Sequence, residues 1–226
     1  MAIQLKSSGD VAATQVRMLV YGQAGAGKTS LIPTLPNPVI MSAEAGLLSI
    51  AGSNLPFVEI TSVDALNEAY PWLTESQEAA QFQSVALDSI SEIAEVVLAN
   101  EKATAKDPRQ AYGALQDVMG AVIRSFRDLP NKHVYFTAKL EKSQDEMGRI
   151  LYSPSMPGAK LGQQLPYFFD LVLPLRVEKD AEGNTVRSLQ CQSDGLWTAK
   201  DRSGRLDPWE PADLGQLIRK IQGGAA

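Results

Sequence analysis

Short apolar runs alternate along this chain with longer segments whose apolar residues recur every three or four positions. The short runs are typical of buried strands, and the longer segments are typical of helices that bury one face. Strands are predicted at Val16–Tyr21, Val39–Met41, Phe57–Ile60, Phe82–Leu87, His133–Ala138, Leu171–Val177 and Arg187–Gln192. Helices are predicted at Lys28–Leu35, at 61–78, after Ser89, after Asp107, and over a tail that contains Leu214, Leu217, Ile218 and Ile221. This alternation favours a parallel sheet with helices on its faces.

Several helix starts carry capping patterns. Thr61 and Ser89 are each followed three residues later by an acidic residue, which resembles a capping box. Asp107 stands before a proline, the usual order of an N-cap and a first helical residue. Pro71 lies inside the helix predicted at 61–78, so we expect a kink or break there.

Three further segments complete the predicted organisation. Residues 1–15 are small and polar, and we expect a loose arm. Residues 141–164 are rich in Gly, Pro, Ser and charge without a clear period, and we expect a mobile region. A Glu-Gly-Asn turn at 182–184 joins the last two strands as a hairpin. The prediction is therefore an α/β fold with a mostly parallel central sheet flanked by helices, antiparallel strands toward the C-terminus, and one domain over 16–222.

Composition narrows the possible classes of protein. The 226 residues include one cysteine and one histidine, which excludes an internal disulfide framework and a zinc site built from Cys or His clusters. No apolar run reaches the roughly 18 residues that a membrane span needs. The N-terminus lacks the apolar core of a secretory signal, so we expect a cytoplasmic protein that does not bind membranes. The net charge of −5 argues against a global basic footprint for nucleic acid, although a local basic patch is compatible with it.

The first strand ends in a glycine-rich segment that matches the pattern G-x-x-x-x-G-K-[ST] in full. Glycines there let backbone N–H groups turn inward, and with the start of the next helix they form an anion cradle. In such a loop the lysine reaches the β- and γ-phosphates and the threonine hydroxyl binds Mg²⁺. The pattern predicts that ATP and Mg²⁺ are cofactors. The residues predicted to bind nucleotide are Gly22, Gln23, Ala24, Gly25, Ala26, Gly27, Lys28, Thr29 and Ser30.

Polar side chains follow three other predicted strands. Asp88 ends a buried strand, where a carboxylate can hold Mg²⁺ together with Thr29; the alternative is that Asp88 only caps the next helix. Glu44 follows the second strand and could deprotonate an attacking water, or it could be an exposed loop residue. Lys139 ends the strand that begins at His133, and it could sense the γ-phosphate, face DNA, or simply be solvated. His133 itself is expected to be a solvated turn residue.

The order of these motifs resembles the RecA-like ATPases, which include the RecA recombinases and the DnaB-type hexameric helicases. The segment LDSISEI, which contains Asp88, looks like the Walker B strand of that group. Glu44 matches its catalytic glutamate, and Lys139 falls near its strand-end glutamine sensor, although this chain has lysine there. The resemblance implies a RecA-like P-loop NTPase core that hydrolyses ATP.

A later segment, AKDRSG at 199–204, resembles the Lys-x-Arg-x-Gly finger of the DnaB and RadA group. By this resemblance Lys200 and Arg202 are catalytic residues that contact the γ-phosphate in the site of a neighbouring subunit. Positive charge there would offset charge that builds on the transferred phosphoryl group. The alternative is a charged hairpin turn. The finger implies a homo-oligomer, a ring or a filament, with ATP at the subunit interface.

The chain from Val16 to Arg205 also resembles phage-encoded, RecA-core proteins that include Sak-type single-strand annealing proteins. The resemblance implies DNA recombination in a host cytoplasm, with single-stranded DNA and a single-strand binding protein as partners. It places DNA on mobile loops, here 141–164 and also 103–110, where basic and aromatic residues can follow phosphates and stack bases. The candidate DNA-binding residues are Lys142, Arg149, Tyr152 and Lys160.

Two other classes of function are compatible with the same motifs. The acidic net charge favours a nucleotide-gated assembly factor or motor ATPase whose partner is a protein. A small-molecule kinase is the third possibility, but the sequence shows no acceptor-site pattern and the finger would be unexplained.

Overall fold

The computed structural model describes residues 15–44 and 46–223, so the arm predicted at 1–15 lies, apart from its last residue, outside the described residues. The strands are β1 (Arg17–Gly22), β2 (Pro38–Ser42), β3 (Phe57–Glu59), β4 (Ser84–Asp88), β5 (His133–Gln144), β6 (Ile150–Ser155), β7 (Leu171–Lys179), β8 (Thr185–Gln190), β9 (Lys200–Asp201) and β10 (Trp209–Pro211). The α-helices are α1 (Val63–Glu75), α2 (Gln77–Ala80), α3 (Ile90–Thr104), α4 (Pro108–Arg127), α5 (Ala159–Gln164) and α6 (Leu214–Ile221). Short 3₁₀ helices lie at Thr29–Thr34, Leu47–Ser53 and Leu165–Phe168.

The strands form one sheet in the order β10-β8-β7-β1-β5-β4-β2-β3. All pairs from β7 across to β3 are parallel, whereas β8, β10 and β9 join antiparallel next to β7, and β6 pairs antiparallel with the end of β5. This confirms the predicted α/β fold with a mostly parallel sheet and antiparallel strands on its C-terminal side. The assignment of 16–222 to one domain stays a prediction.

Side chains of the central strand β1 alternate between two buried layers, because successive residues of a strand point to opposite faces. Leu19 and Tyr21 pack in the layer that contains α1, α3 and α4. Met18 and Val20 pack in the layer that contains α6 and the 3₁₀ helix after the glycine-rich loop. Covering both faces of a parallel sheet explains why the strand reads as a continuous apolar run.

The helix starts follow the capping patterns closely. Ser89 Oγ accepts from the backbone N–H of Glu92 at the start of α3, and the Asp107 carboxylate caps α4. The cap of α1 is Ser62, one residue later than predicted. The helix runs on through Pro71 to Glu75, so the break comes at Ser76, which caps α2, and not at the proline.

Two predicted segments differ in the structure. The helix predicted at Lys28–Leu35 is a six-residue 3₁₀ helix, and it contains Pro33, which has no N–H for an α-helical bond. The region 141–164 predicted to be mobile and irregular is instead the end of β5, the strand β6 and the helix α5. The β5–β6 hairpin extends beyond Lys139, the last residue of β5 that pairs in parallel, and most side chains of β5 beyond that point are polar and exposed, so the segment has no apolar period to detect.

Candidate functional site

The glycine-rich loop crosses the carboxyl end of β1 and leads directly into the 3₁₀ helix. Gly25 has a φ of 75° and Gly27 a φ of 103°, in a backbone region that side chains rarely allow. The loop therefore adopts a path that its glycines permit and other residues would resist. This path suits backbone N–H groups that converge on an anion.

The Lys28 ammonium lies over the same loop. Its Nζ donates to the carbonyl oxygens of Gly22 at 3.0 Å and Gln23 at 3.1 Å. Burial lowers the pKa of Lys28, and the nearby carboxylates of Glu44 and Asp88 oppose that shift. A partly desolvated cation at this position interacts more strongly with phosphate than it would in water.

Asp88 ends β4 with only 2% of its surface exposed. One carboxylate oxygen accepts from Thr29 Oγ1 at 2.7 Å, and the other accepts from Thr137 Oγ1 of β5. Burial raises the pKa of Asp88, while the two hydroxyl bonds lower it. Sequence reasoning missed Thr137; its only signal is a lone threonine in the otherwise apolar and aromatic run of the strand.

Glu44 is held beside Asp88 by a hydrogen bond from Ser89, the residue that follows Asp88. Glu44 Oε1 accepts from Ser89 Oγ at 2.5 Å, and the backbone N–H of Ala43 donates to the Asp88 carbonyl at 2.8 Å. The ends of β2 and β4 therefore meet, because the two strands are parallel neighbours in the sheet. This pairing brings together two carboxylates that are 44 residues apart in the chain.

Lys139 lies at the same edge, at the point where β5 leaves the parallel part of the sheet. Its Nζ pairs with Glu92 Oε2 at 2.5 Å, and this bond is the main reason that its pKa is raised. Its backbone N–H donates to Ser91 Oγ at 3.0 Å. A sensor role would need the ammonium to exchange Glu92 for a phosphate, and this role stays a prediction.

The residues at this edge fit a magnesium nucleotide. The Thr29 hydroxyl and the Asp88 carboxylate supply two neighbouring oxygens, the ligand atoms that Mg²⁺ prefers. Among the described residues no group of three or more His, Cys, Asp or Glu forms a metal cluster of its own. Such a site suits Mg²⁺, which commonly binds one or two protein oxygens and completes its shell with phosphates and water.

The predicted finger lies elsewhere on the same chain. Lys200 belongs to β9, opposite Val172 near the start of β7, and its Nζ donates to the Pro166 carbonyl at 2.9 Å. Arg202 Nη1 pairs with Asp170 Oδ1 at 2.8 Å. Both residues are thus at the amino edge of the parallel strands, and the glycine-rich loop is at the carboxyl edge.

Backbone hydrogen bonds fix the distance between Arg202 and the glycine-rich loop of the same chain. The Arg202 N–H donates to the Asp170 carbonyl, and the Asp170 N–H donates to the carbonyl of Arg17, the first residue of β1. From Arg17 to Gly22 the strand advances five residues, or ~17 Å. An arginine side chain cannot cover that distance, so Arg202 cannot reach the glycine-rich loop of its own chain in this arrangement.

The four candidate DNA-binding residues do not form one cluster. Lys142 and Tyr152 are cross-strand partners in the β5–β6 hairpin, with Nζ 5.8 Å from the ring centroid. Arg149 lies by the hairpin turn and pairs with Asp145 at 2.7 Å. Lys160 is exposed on α5. Their roles in binding DNA stay predictions.

A junction of aromatic rings joins the hairpin to the end of β1. The Tyr152 ring stacks on Trp197 with centroids 4.0 Å apart, and the Arg176 guanidinium lies 4.3 Å from the Trp197 centroid. Beneath them the buried Tyr21 hydroxyl donates its one proton, which is shared between the carbonyls of Tyr152 at 3.1 Å and Thr198 at 2.9 Å. The hairpin, the glycine-rich loop and the segment that leads to the finger therefore meet at one point, which sequence reasoning missed.

None of the helices among residues 15–44 and 46–223 combines the length and the apolar character that a membrane crossing requires.

The model of a protein family described as an AAA domain matches residues 14–203. None of the curated proteins matches. Among solved structures, the chain is similar to one reported under the description of a prototypical ATPase from the type III secretion system of pathogenic bacteria, with 14% identity and a TM-score of 0.49. That match covers 71% of this chain and 51% of the other, so the chain spans about half the length of that ATPase chain.

Proposed function

Because its residues 14–203 match the family model, the chain belongs to the AAA domain family, and we propose that it is a Mg²⁺-dependent ATPase that binds single-stranded DNA. One observation carries the ATPase proposal: Thr29 of the glycine-rich loop donates to the buried Asp88 carboxylate, 59 residues away in the chain. This bond supports the proposal because a hydroxyl and a carboxylate, oxygen ligands of the kind that Mg²⁺ prefers, lie together next to the glycine-rich loop.

Each residue of the site has a separate task in hydrolysis. Lys28 and the loop N–H groups would bind the phosphates, and Thr29 and Asp88 would hold Mg²⁺, which would supply charge neutralisation. Glu44, positioned by Ser89, orients the attacking water and accepts its proton. Positive charge from the finger residues Lys200 and Arg202 of a chain would stabilise the phosphoryl group in the transition state.

We propose that the finger comes from a second copy of the chain. Lys200 and Arg202 lie at the far edge of the sheet from their own glycine-rich loop. In a head-to-tail assembly the amino edge of one copy meets the carboxyl edge of the next, and such interfaces close into rings or extend as filaments. ATP would then lie between subunits.

The ATPase proposal is tested by phosphate release with Mg²⁺ and with EDTA, for the native protein and two Thr29 variants. Thr29→Val removes the hydroxyl at nearly constant volume and should lower turnover by about 100-fold or more, whereas Thr29→Ser keeps the oxygen and should retain most turnover. Equal turnover by the Val and Ser variants would contradict the role given to Thr29. Absence of Mg²⁺-dependent turnover in the native protein would overturn the proposal as a whole.

We propose further that the protein anneals or pairs single-stranded DNA during recombination in a phage-infected cell, in the cytoplasm. The support is the resemblance to Sak-type proteins and the exposed β5–β6 hairpin, which places Lys142, Arg149 and Tyr152 on one projecting element. Tyr152 connects that element to the end of β1 through Tyr21, so nucleotide at the loop and DNA at the hairpin would share a structural contact.

Fluorescence anisotropy with a labelled single-stranded oligonucleotide tests this part. We expect binding to strengthen with a non-hydrolysable ATP analogue and to weaken steeply with salt, since phosphate contacts release counterions. The variant Lys142→Gln, Arg149→Gln should bind less tightly, and Arg219→Gln on α6 serves as the matched control. An affinity for the oligonucleotide that changes neither with the ATP analogue nor with these substitutions would contradict the proposal.

A second candidate function, an assembly or motor ATPase that acts on a protein partner, is favoured by one observation. An apolar pocket of about 640 Å³ lies beside Glu44 at the outer strand β3. Leu48 and Phe57 at this pocket are 89% and 51% exposed. Under this alternative, Leu48→Ser should abolish stimulation of ATP turnover by the protein partner, and single-stranded DNA should neither bind nor stimulate turnover.

A further inference from the structure

An arginine that no motif indicates lies directly against the glycine-rich loop. Arg187 is on β8, and its Nε donates to the Ala26 carbonyl at 2.8 Å. A Cβ built on Gly27 would lie 2.9 Å from Arg187 Nε and 3.4 Å from its Cδ. The arginine therefore fills the space that the missing side chain of Gly27 leaves open.

The position of Arg187 follows from the sheet. Leu189, two residues later on the same face of β8, is buried in the layer that holds the 3₁₀ helix after the loop. Arg187 pairs with Val177 where β7 and β8 run past the end of β1, so the same face continues beyond the core. The side chain is thereby directed along the loop from the side of the sheet opposite to β5, β4 and β2.

The guanidinium keeps most of its hydrogen-bonding capacity. The Ala26 carbonyl takes the Nε–H, and within the described part of the chain the two terminal nitrogens have no hydrogen bond or ion pair. Other arginines pair with carboxylates, among them Arg17, Arg127, Arg149, Arg176 and Arg202. A fork of free N–H groups fixed beside an anion-binding loop matches the geometry of phosphate oxygens, which arginine binds through two parallel bonds.

We propose that Arg187 binds the α-phosphate of the nucleotide held by its own chain. This inference rests on the proposed nucleotide binding at the glycine-rich loop. The γ-phosphate end of the site is marked by Glu44, Asp88 and Lys139, on the strands on one side of β1. Arg187 comes from β8, on the other side, so it meets the part of the nucleotide that ADP and ATP have in common.

This placement separates Arg187 from the finger residues by a kinetic criterion. A contact with the α-phosphate, where no charge develops during the reaction, is made equally in the substrate and in the transition state. Its loss therefore weakens binding and leaves the turnover of the bound complex nearly unchanged. Loss of a finger residue such as Arg202 lowers turnover more than binding. The two arginines should therefore give opposite patterns in KM and kcat.

The experiment measures Kd for ADP and for a non-hydrolysable ATP analogue, together with KM and kcat for ATP. Arg187→Ala should weaken both ligands by about 10- to 100-fold, the usual loss for hydrogen bonds to a charged group, with kcat changed by less than about threefold. Arg187→Lys should recover only part of the affinity, because lysine keeps the charge but lacks the fork. Arg219→Ala, an exposed arginine on α6, is the control and should behave as the native protein.

A further readout distinguishes phosphate binding from support of the loop. Millimolar guanidinium should restore ADP affinity to Arg187→Ala by occupying the vacated place, and should leave the native protein unaffected. Unchanged ADP affinity in both Arg187 variants, a loss confined to kcat, or the absence of guanidinium rescue would each overturn the inference. If the native protein itself binds no nucleotide, the proposed function fails first, and that result is separate from the other three.

Discussion

Mixing two inactive variants tests whether the finger acts between copies of the chain. Lys28→Ala removes the phosphate-binding ammonium, and Arg202→Ala removes the finger cation. Each variant alone should lose most ATP turnover, with Arg202→Ala retaining more nucleotide binding than Lys28→Ala. Arg202 is separated from the loop of its own chain by the five residues of β1, or ~17 Å, and cannot reach it. The activity of a mixture therefore depends only on which subunits are neighbours.

In a head-to-tail assembly, one site takes its loop from one subunit and its finger from the next. With equal amounts of the two variants and random exchange, about one quarter of the interfaces combine an Arg202→Ala loop donor with a Lys28→Ala finger donor, and these sites are intact. Turnover should therefore return to about one quarter of the native value. If the finger and the loop of each site came from the same chain, no intact site would form.

The matched control mixes native protein with the double variant Lys28→Ala, Arg202→Ala. A finger from the neighbour again leaves about one quarter of the sites intact, whereas a finger within the same chain leaves about one half. The two mixtures give equal rates in the first case and strongly unequal rates in the second. A steady-state phosphate-release assay after subunit exchange measures both, and zero recovery in the first mixture with one-half activity in the control would refute the reasoning.

Two further predictions concern stability. Tyr21→Phe removes the hydroxyl that is bonded to the carbonyls of Tyr152 and Thr198, and we expect it to lower the free energy of unfolding by about 1–3 kcal/mol in urea denaturation; an unchanged midpoint would mean that water satisfies both carbonyls. The second prediction concerns His133, the only histidine in the sequence, whose Nδ1 accepts from the Val16 N–H at 3.1 Å. Burial lowers the pKa of His133, so the folded protein binds a proton there less readily than the unfolded chain does. The contribution of His133 to the free energy of unfolding is fully present above the unfolded pKa of about 6.5 and falls as the pH drops below it. The variant His133→Asn can accept the same hydrogen bond without titrating. Its free energy of unfolding in urea denaturation should therefore fall less than that of the native protein between about pH 7.5 and 5.

The expectation that His133 is a solvated turn residue was wrong, and it shows where local patterns fail. His133 begins β5, and its ring accepts a hydrogen bond from Val16, 117 residues earlier. No pattern within a few residues of His133 records that contact. The same limit applies to Thr137, whose hydroxyl bonds Asp88 only because β4 and β5 are neighbours in the sheet.

Features that depend on contiguous residues could be predicted from the sequence alone. The glycine-rich loop, the strand before it and the caps at Ser89 and Asp107 follow from the spacing of residues within one turn or one strand, because the atoms that interact are close in the chain. The alternation of strands and helices likewise indicated a parallel sheet, since a crossover helix is the usual way to return the chain to the same edge.

Only the tertiary structure decided which distant residues share the site. Strand order is set by pairing between segments far apart in the chain, and it places Asp88 beside Thr29, the finger at the opposite edge, and Arg187 against Ala26 across 161 residues. Hydrogen-bonded pairing also made the hairpin at the end of β5 from a segment without an apolar period. Local spacing carries no record of these contacts, because each depends on the packing of the whole sheet.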